Sequence, residues 1–286
     1  MQELAGRVAV ITGAGSGLGA AMADALAAER MRIVALDIDG VAAEATVQRL
    51  QAAGAEAIAQ AVDVASRPAL ADAAAATREA FGACDLLCAN VGVQQFGAIE
   101  RLTADDWQWM LSVNVIGLVQ TVDAFLPLLR ASNGERRIVV TSSSSYFVPS
   151  VRLGAYVTTK YAVVGYAEVL RLELEPEGIG VTLLFPAGML TRHLDSSKAA
   201  RPAELGESVI MPDDIDEMIA SRKGAGDTVP VSPEFAIRNL VRDLKDGRDY
   251  IITHGDYRAD VEQRQREIFA AFDRMESSDV RRRSAQ

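Results

Sequence analysis

Residues 7–20 read RVAVITGAGSGLGA. Arg7 to Thr12 form an apolar run suited to a buried strand, and glycines break it at once. Gly15, Gly17 and Ala20 satisfy G-x-G-x-x-[G/A]. Glycines alone make only a flexible turn. Between a strand and a helix (Ala20 to Glu29), they let backbone N–H groups approach a pyrophosphate at the positive end of that helix. Eighteen residues beyond Gly19, Asp37 closes a second apolar run, RIVALD (32–37). A carboxylate there would accept hydrogen bonds from an adenosine ribose. It would also repel a 2′-phosphate, and the glycine loop holds no Arg or Lys, which favours NAD(H) over NADP(H).

Outward from this point the alternation continues. A helix runs through Gln51, EAIAQAVD (56–63) is a third strand, a helix reaches about Phe81, and CDLLCAN (84–90) is a fourth strand. Thr103 and Asp106 make an N-cap signature that opens a long helix over 104–130. RRIVVTSS (136–143), GIGVTLLFP (178–186) and DYIITH (249–254) are three further strands, and a helix through Tyr156 to Glu175 joins the first two. Ser232-Pro233-Glu234 reads as cap, first turn and acidic dipole partner of another helix. Continuous apolar runs between helices mark a parallel sheet covered on both faces. The predicted architecture is α/β: a single-domain Rossmann fold over 1–276, with a doubly wound seven-stranded parallel sheet. Residues 187–231 lack clean periodicity and are too long for an idle connection, so a substrate loop is expected there. Val261, Ile268, Phe269, Phe272 and Met275 form a helical apolar stripe, which suits either packing on its own domain or a subunit contact. Residues 277–286 read as a disordered tail.

The 286 residues are 49% hydrophobic with a formal net charge of −10. That is ample for a core, and the acidity argues against nucleic-acid or anionic-membrane binding. No charged region followed by a long apolar one opens the chain, and no apolar run reaches membrane-spanning length, so a cytoplasmic protein is expected. Cys84 and Cys88, four apart on a strand, are expected on one face as core residues, too far apart to bridge. His193 and His254 lack ligand spacing, and no metal site is expected.

AYVTTK (155–160) places Tyr156 and Lys160 one helical turn apart. An ammonium beside a phenol favours the phenolate, which a tyrosine of ordinary pKa about 10 needs if it is to exchange protons near neutrality. Together these motifs resemble the short-chain dehydrogenase/reductase family. Its T-G-x-x-x-G-x-G is matched by Thr12, Gly13, Gly17 and Gly19, whereas the extended epimerase-like branch spaces its glycines differently. Asp63-Val64 resembles the adenine-contacting pair. CANVG keeps Asn90 and Gly92 of N-N-A-G, with Ala89 and Val91 differing. Asn114 falls at the helix asparagine, and Ser143 precedes Tyr156 by thirteen residues. Pro186, Met189 and Thr191 follow P-G-x-V-x-T, with Ala187 for its glycine and Met189 for its valine.

The resemblance implies a proton-transfer set of Asn114, Ser143, Tyr156 and Lys160. Tyr156 would be the acid/base, its pKa lowered by Lys160 and the nicotinamide ring. Ser143 would hold the substrate oxygen, and Asn114 would position a water behind Lys160. Cofactor contacts are implied for Gly13, Ser16, Gly17, Leu18, Gly19, Asp37, Asp63, Val64, Asn90, Gly92, Tyr156, Lys160, Pro186, Gly188, Met189 and Thr191. The Tyr-x-x-x-Lys spacing differs from the enoyl reductases, and the chain lacks the V-D-G-G ending of the acyl-carrier-protein ketoreductases. The remainder is similar to bacterial dehydrogenases of aryl and bulky secondary alcohols, including the Cα-dehydrogenases. Substrate contacts are expected from Gln94, Phe96, Ser145, Tyr146, Phe147, Leu190 and His193, the last read chiefly as an exposed loop residue. This lining suggests a neutral, hydrophobic alcohol or ketone. An NADPH-dependent ketoreductase and a non-catalytic nucleotide-binding redox sensor are the alternatives. A homo-oligomer, dimer or tetramer, is the implied assembly.

Overall fold

The computed structural model describes residues 1–208, 210–222 and 229–277. Seven strands form one parallel sheet in the order β3-β2-β1-β4-β5-β6-β7. They are β1 (Val8–Thr12), β2 (Arg32–Asp37), β3 (Ala57–Ala61), β4 (Leu86–Ala89), β5 (Arg136–Thr141), β6 (Ile179–Phe185) and β7 (Tyr250–Ile252). β1 and β4 are neighbours at the centre, where the winding direction reverses. A crevice opens there at the carboxyl ends of the strands, the usual ligand position in such sheets.

The helices are α1 (Gly17–Ala28), α2 (Gly40–Ala52), α3 (Arg67–Phe81), α4 (Ala104–Leu111), α5 (Gly117–Ala131), α6 (Gly154–Leu174), α7 (His193–Ala199), α8 (Asp213–Ser221), α9 (Pro233–Ala236), α10 (Leu240–Lys245) and α11 (Arg258–Ser277). Leu26, Val47 and Leu240 cover one face of the sheet, while Leu70, Phe125 and Val163 cover the other. Each such side chain contributes about 1.5–3 kcal/mol on burial. Local chemistry sets the ends. Thr103 and Asp106 make the expected reciprocal capping box, and Ser232 accepts from the Phe235 N–H at 3.2 Å.

Three expectations need correction. The helix predicted over 104–130 is not regular: Ser112–Ile116 form a π turn between α4 and α5, closed by Gly117 N–H to Ser112 C=O. Cys84 and Cys88 do not share a face. Cys84 lies before β4 begins, so the two-residue alternation does not reach it, and the two thiols pack in opposite core layers. Residues 187–231 are not irregular throughout, since α7 and α8 lie among the described ones. The segment Ala104–Ala131 is long and apolar enough to cross a membrane by length and composition, but Met110, Val122, Phe125 and Leu129 on it are core residues. The stripe on α11 stays exposed at Ile268, Phe269 and Phe272. Of the tail expected at 277–286, Ser277 ends α11 and the rest lies outside the described residues.

Candidate active site

A cavity of about 730 Å³ fills the crevice. At one end the glycine loop passes from β1 into α1. A Cβ on Gly19 would stand 2.0 Å from the Gly13 carbonyl oxygen, so only glycine fits. The first turn of α1 has no side-chain cap and no acidic residue, so its N–H groups and dipole stay available to an anion. Thr191, in the strand-following loop after β6, closes over Gly17, whose Cβ would lie 3.4 Å from the Thr191 methyl. Asp37 ends β2. Its carboxylate accepts from Gly15 N–H at 2.8 Å and Asp39 N–H at 3.0 Å, which fixes its direction at the loop. Ile38, Asp63 and Val64 line the same end. An uncapped helix N-terminus, a cradle that a Cβ would fill and a fixed carboxylate fit a dinucleotide. Asn90 ties this end together: its N–H donates to Thr12 Oγ1 at 2.9 Å and its amide to Thr12 C=O at 3.2 Å. Its Oδ1 accepts from Thr141 Oγ1 at 3.1 Å.

The other end holds the proton-transfer candidates. α6 places Tyr156 in its first turn and Lys160 one turn later, with Lys160 Nζ 5.5 Å from the Tyr156 ring centroid. Lys160 is buried and donates to the Thr141 carbonyl at 3.1 Å. A side chain on Gly92 would meet Nζ at 3.2 Å, so the glycine leaves the ammonium its room. Ser143 follows β5, and its Oγ accepts from Ser145 N–H at 3.1 Å.

Burial lowers Lys160 to about 8. Burial also raises the Tyr156 phenol, against the opposing pull of the Ser143 hydroxyl and the Arg222 charge. The expected depression of Tyr156 is therefore not a property of the protein alone, since desolvation of the phenolate outweighs its neighbours. Asn114 sits in the π turn, a distortion that recurs at functional sites. Its Oδ1 accepts from Val93 N–H at 2.7 Å, and its Nδ2 donates to Val93 C=O at 2.8 Å and Thr159 Oγ1 at 3.0 Å. This buried amide is committed to the protein and lies behind the cavity, so a water held by Asn114 would have to meet its backbone.

The described residues of 187–231 contribute an outer wall. Met189 and Val231 pair at the base. Arg201 reaches buried Asp106 at 2.7 Å and Gln95 Oε1 at 2.7 Å, and Asp214 of α8 pairs with Arg101 and Arg152. Burial works against the Asp106 charge, but hydrogen bonds from Thr103, Arg201 and Gln95 hold it below the usual carboxylate range. Arg152 sits at φ 64°, a left-handed backbone that costs a non-glycine residue about 1–2 kcal/mol. Its ion pairs to Asp214 and Glu217 hold it there, four residues before Tyr156.

The structure brings most predicted residues to the cavity: Gly13, Ser16, Leu18, Gly188 and Pro186 of the expected cofactor contacts, and Gln94, Phe96, Ser145 and His193 of the expected substrate contacts. Gly19 acts by packing rather than by lining. Tyr146, Phe147 and Leu190 do not line it. Tyr146 and Phe147 turn into a ring cluster with Phe185, Tyr161 and Tyr257, and Leu190 faces outward. His193 is no exposed loop residue. It opens α7 half-buried, and burial first, then the Lys160 charge, push it down to about 4, which makes it a neutral hydrogen-bonding group. Trp109, Leu153, Leu205, Met218 and Arg222 also line the cavity and were not anticipated. Leu205, Met218 and Arg222 carried a signal only as members of the segment expected to be a substrate loop, and Trp109 and Leu153 as apolar residues flanking predicted site segments.

Compared with known proteins, residues 7–202 match the family model described as short chain dehydrogenase. The C alpha-dehydrogenase of Sphingobium sp. strain SYK-6 is 32% identical over 278 residues, covering 97% of this chain and 90% of the relative. A short chain dehydrogenase/reductase from Burkholderia phymatum, solved in complex with NAD, superimposes with a TM-score of 0.85 at 33% identity, covering 95% of this chain and 97% of that one. The apo form of LigO from Sphingobium sp. strain SYK-6 gives 0.80 at 30% identity, covering 100% and 96%.

Proposed function

Because the chain belongs to the short-chain dehydrogenase family and is thereby an oxidoreductase, we propose that it uses NAD(H) to interconvert a bulky secondary alcohol and its ketone. The observation that carries this reading is the placement of Tyr156, Lys160 and Ser143 on one cavity with the glycine loop and Asp37. Gly17, Leu18 and the N–H groups of α1 would hold the pyrophosphate. Asp37 would hold the ribose, with Asp63 adding negative charge against a 2′-phosphate. When bound, the nicotinamide supplies the hydride acceptor or donor. Tyr156 takes the hydroxyl proton in oxidation and returns it in reduction. Ser143 orients the substrate oxygen against Tyr156, and Lys160 supplies the nearby positive charge. Binding of an oxidised, positively charged ring would add the stabilisation that Tyr156 lacks in the protein alone.

The bulky substrate is supported by Phe96, Trp109, Leu153 and Leu205 on the cavity wall. The NAD-bound Burkholderia structure supports the cofactor choice. A homo-oligomer belongs to the same reading, since Ile116 beside α5 and Val169 and Leu172 on α6 are exposed apolar residues. Light scattering on the purified protein measures that state.

The test is NADH formation over a panel of aliphatic, benzylic, sugar-like and steroid secondary alcohols. Benzylic or other bulky members are expected to react, and Tyr156→Phe is expected to lose about a thousandfold in kcat while binding NADH as before. Turnover with NADP alone would move the assignment to the ketoreductase alternative. Unchanged behaviour of Tyr156→Phe would move it to the sensor.

A further inference from the structure

We infer that Arg222 reads an anion in this pocket, and that the preferred substrate carries a carboxylate beside its reacting carbinol. The inference rests on the dehydrogenase reading above. Arg222 is the C-cap residue after α8, half-buried, and lines the cavity with Tyr156 and Ser143. Its guanidinium donates to Ser144 Oγ at 3.3 Å, and Ser144 is the buried residue next to Ser143. Its charge also reaches Tyr156 and favours the phenolate. The cation therefore stands beside the proton-transfer groups and not at the N-terminus of α1.

Of the neighbouring arginines, Arg201 is paired with Asp106, Arg101 with Asp214, and Arg152 with Asp214 and Glu217, while Arg192, also on the cavity wall, is exposed to water. Among the described residues Arg222 enters no ion pair, and its hydrogen-bond partner is one neutral hydroxyl. Asp105 and Glu204 line the same cavity, yet neither bonds to it. A guanidinium has five N–H donors, and one withdrawn from water is stabilised best by a carboxylate held through two of them. Arg222 faces a wall otherwise rich in Phe96, Trp109, Leu205 and Met218, so the substrate that satisfies both is an apolar body with one carboxylate. This departs from the neutral substrate expected from the sequence, where the expected substrate contacts read as a mostly apolar lining. His193, held neutral, does not compete for the anion.

The experiment compares 1-phenylethanol with mandelate, which replaces its methyl group by a carboxylate, and with 3-hydroxy-3-phenylpropanoate. NADH formation is measured for the wild type, Arg222→Gln and Arg222→Lys. The wild type is expected to prefer one of the acids at least tenfold in kcat/KM. That ratio should fall about tenfold or more in Arg222→Gln and recover in part in Arg222→Lys. A second readout is freed of turnover by the Tyr156→Phe background, with and without Arg222→Gln: quenching of bound NADH fluorescence by phenylglyoxylate or benzoylacetate against acetophenone. If Arg222→Gln does not fold, the wild-type acid preference must still shrink as salt is raised. Turnover of 1-phenylethanol with no acid preference would overturn this inference and leave the dehydrogenase reading standing. Arg222-dependent binding of the keto acids without turnover of any alcohol would support the anion site and overturn the dehydrogenase reading.

Discussion

The glycine loop at 12–20 and the segment at 187–231 wall the same cavity, but different atoms hold them in place. The loop is built from backbone. Gly13 and Gly17 take positive φ, and Gly19 lies against a carbonyl with no space for a methyl group. The segment is built from side chains that reach far along the chain, with Arg201 on Asp106 and Gln95, and Asp214 on Arg101 and Arg152. Its own Gly206, at φ 66°, has nothing within 4 Å of an added Cβ. A wall that meets an unvarying dinucleotide can be made of unvarying backbone. A wall that meets a substrate is made of exchangeable side chains.

The sharpest way to break this contrast is a pair of alanines. Gly19→Ala should push the loop off its carbonyl and weaken NADH binding by about 100-fold or more, as misplacements near 1 Å do. Gly206→Ala should cost only about 1–3 kcal/mol of backbone strain and leave NADH affinity within twofold. Titration of NADH fluorescence and thermal melting measure both, and equal losses of affinity would end the contrast.

Arg201→Met leaves Asp106 buried without its cation, at a cost of about 3–5 kcal/mol. The expected result is a lower melting temperature and a raised KM for alcohol, with NADH affinity kept. Adding Asp106→Leu should recover part of the loss. A parallel fall in NADH affinity would show that the two walls are mechanically one.

Lys160 lies where the walls meet. Burial holds its pKa at about 8, below the ordinary 10.5. The folded state therefore binds the proton less well than the unfolded chain, and the penalty is full below pH 8 and fades between 8 and 10.5. Lys160→Met should gain up to about 3 kcal/mol at pH 7, lose that gain by pH 11, and lose activity. Urea unfolding at the two pH values measures it, and a gain independent of pH would contradict the cause.

The smallest effect concerns the cofactor. Asp37→Ser removes the charge that opposes a 2′-phosphate and keeps one oxygen for Gly15 N–H. The NAD-over-NADP ratio of kcat/KM should fall by about 10- to 100-fold, the scale of a removed like-charge clash. An unchanged ratio would place the discrimination elsewhere.

What could be read from the chain follows the same division. The central strands are continuous apolar runs, and the glycine loop, Asp37 and the Tyr156–Lys160 pair are short-range patterns whose geometry a strand end or a helical turn dictates. α7 escaped because it buries one polar residue, Ser197, in place of an apolar stripe, and α8 because its stripe of Ile215, Met218 and Ile219 is short and its buried residue is Asp214. Arg222 was illegible because only the fold of that segment brings it to Ser144. Tyr146 and Phe147 misled because a short 3-10 turn over Ser144–Tyr146 carries them away from the cavity and onto Phe185.

The bridge between Met189 and Val231 has a use beyond closing the wall. The Leu190 N–H donates to Val231 C=O at 2.8 Å and the Val231 N–H to Gly188 C=O at 3.2 Å, so the segment leaves and rejoins the body at one point. A segment with adjacent ends can be exchanged for one of another length without shifting the strands that carry it. It is a ready graft site, through which the outer wall of the cavity can be rewritten as long as Thr191 is kept over Gly17.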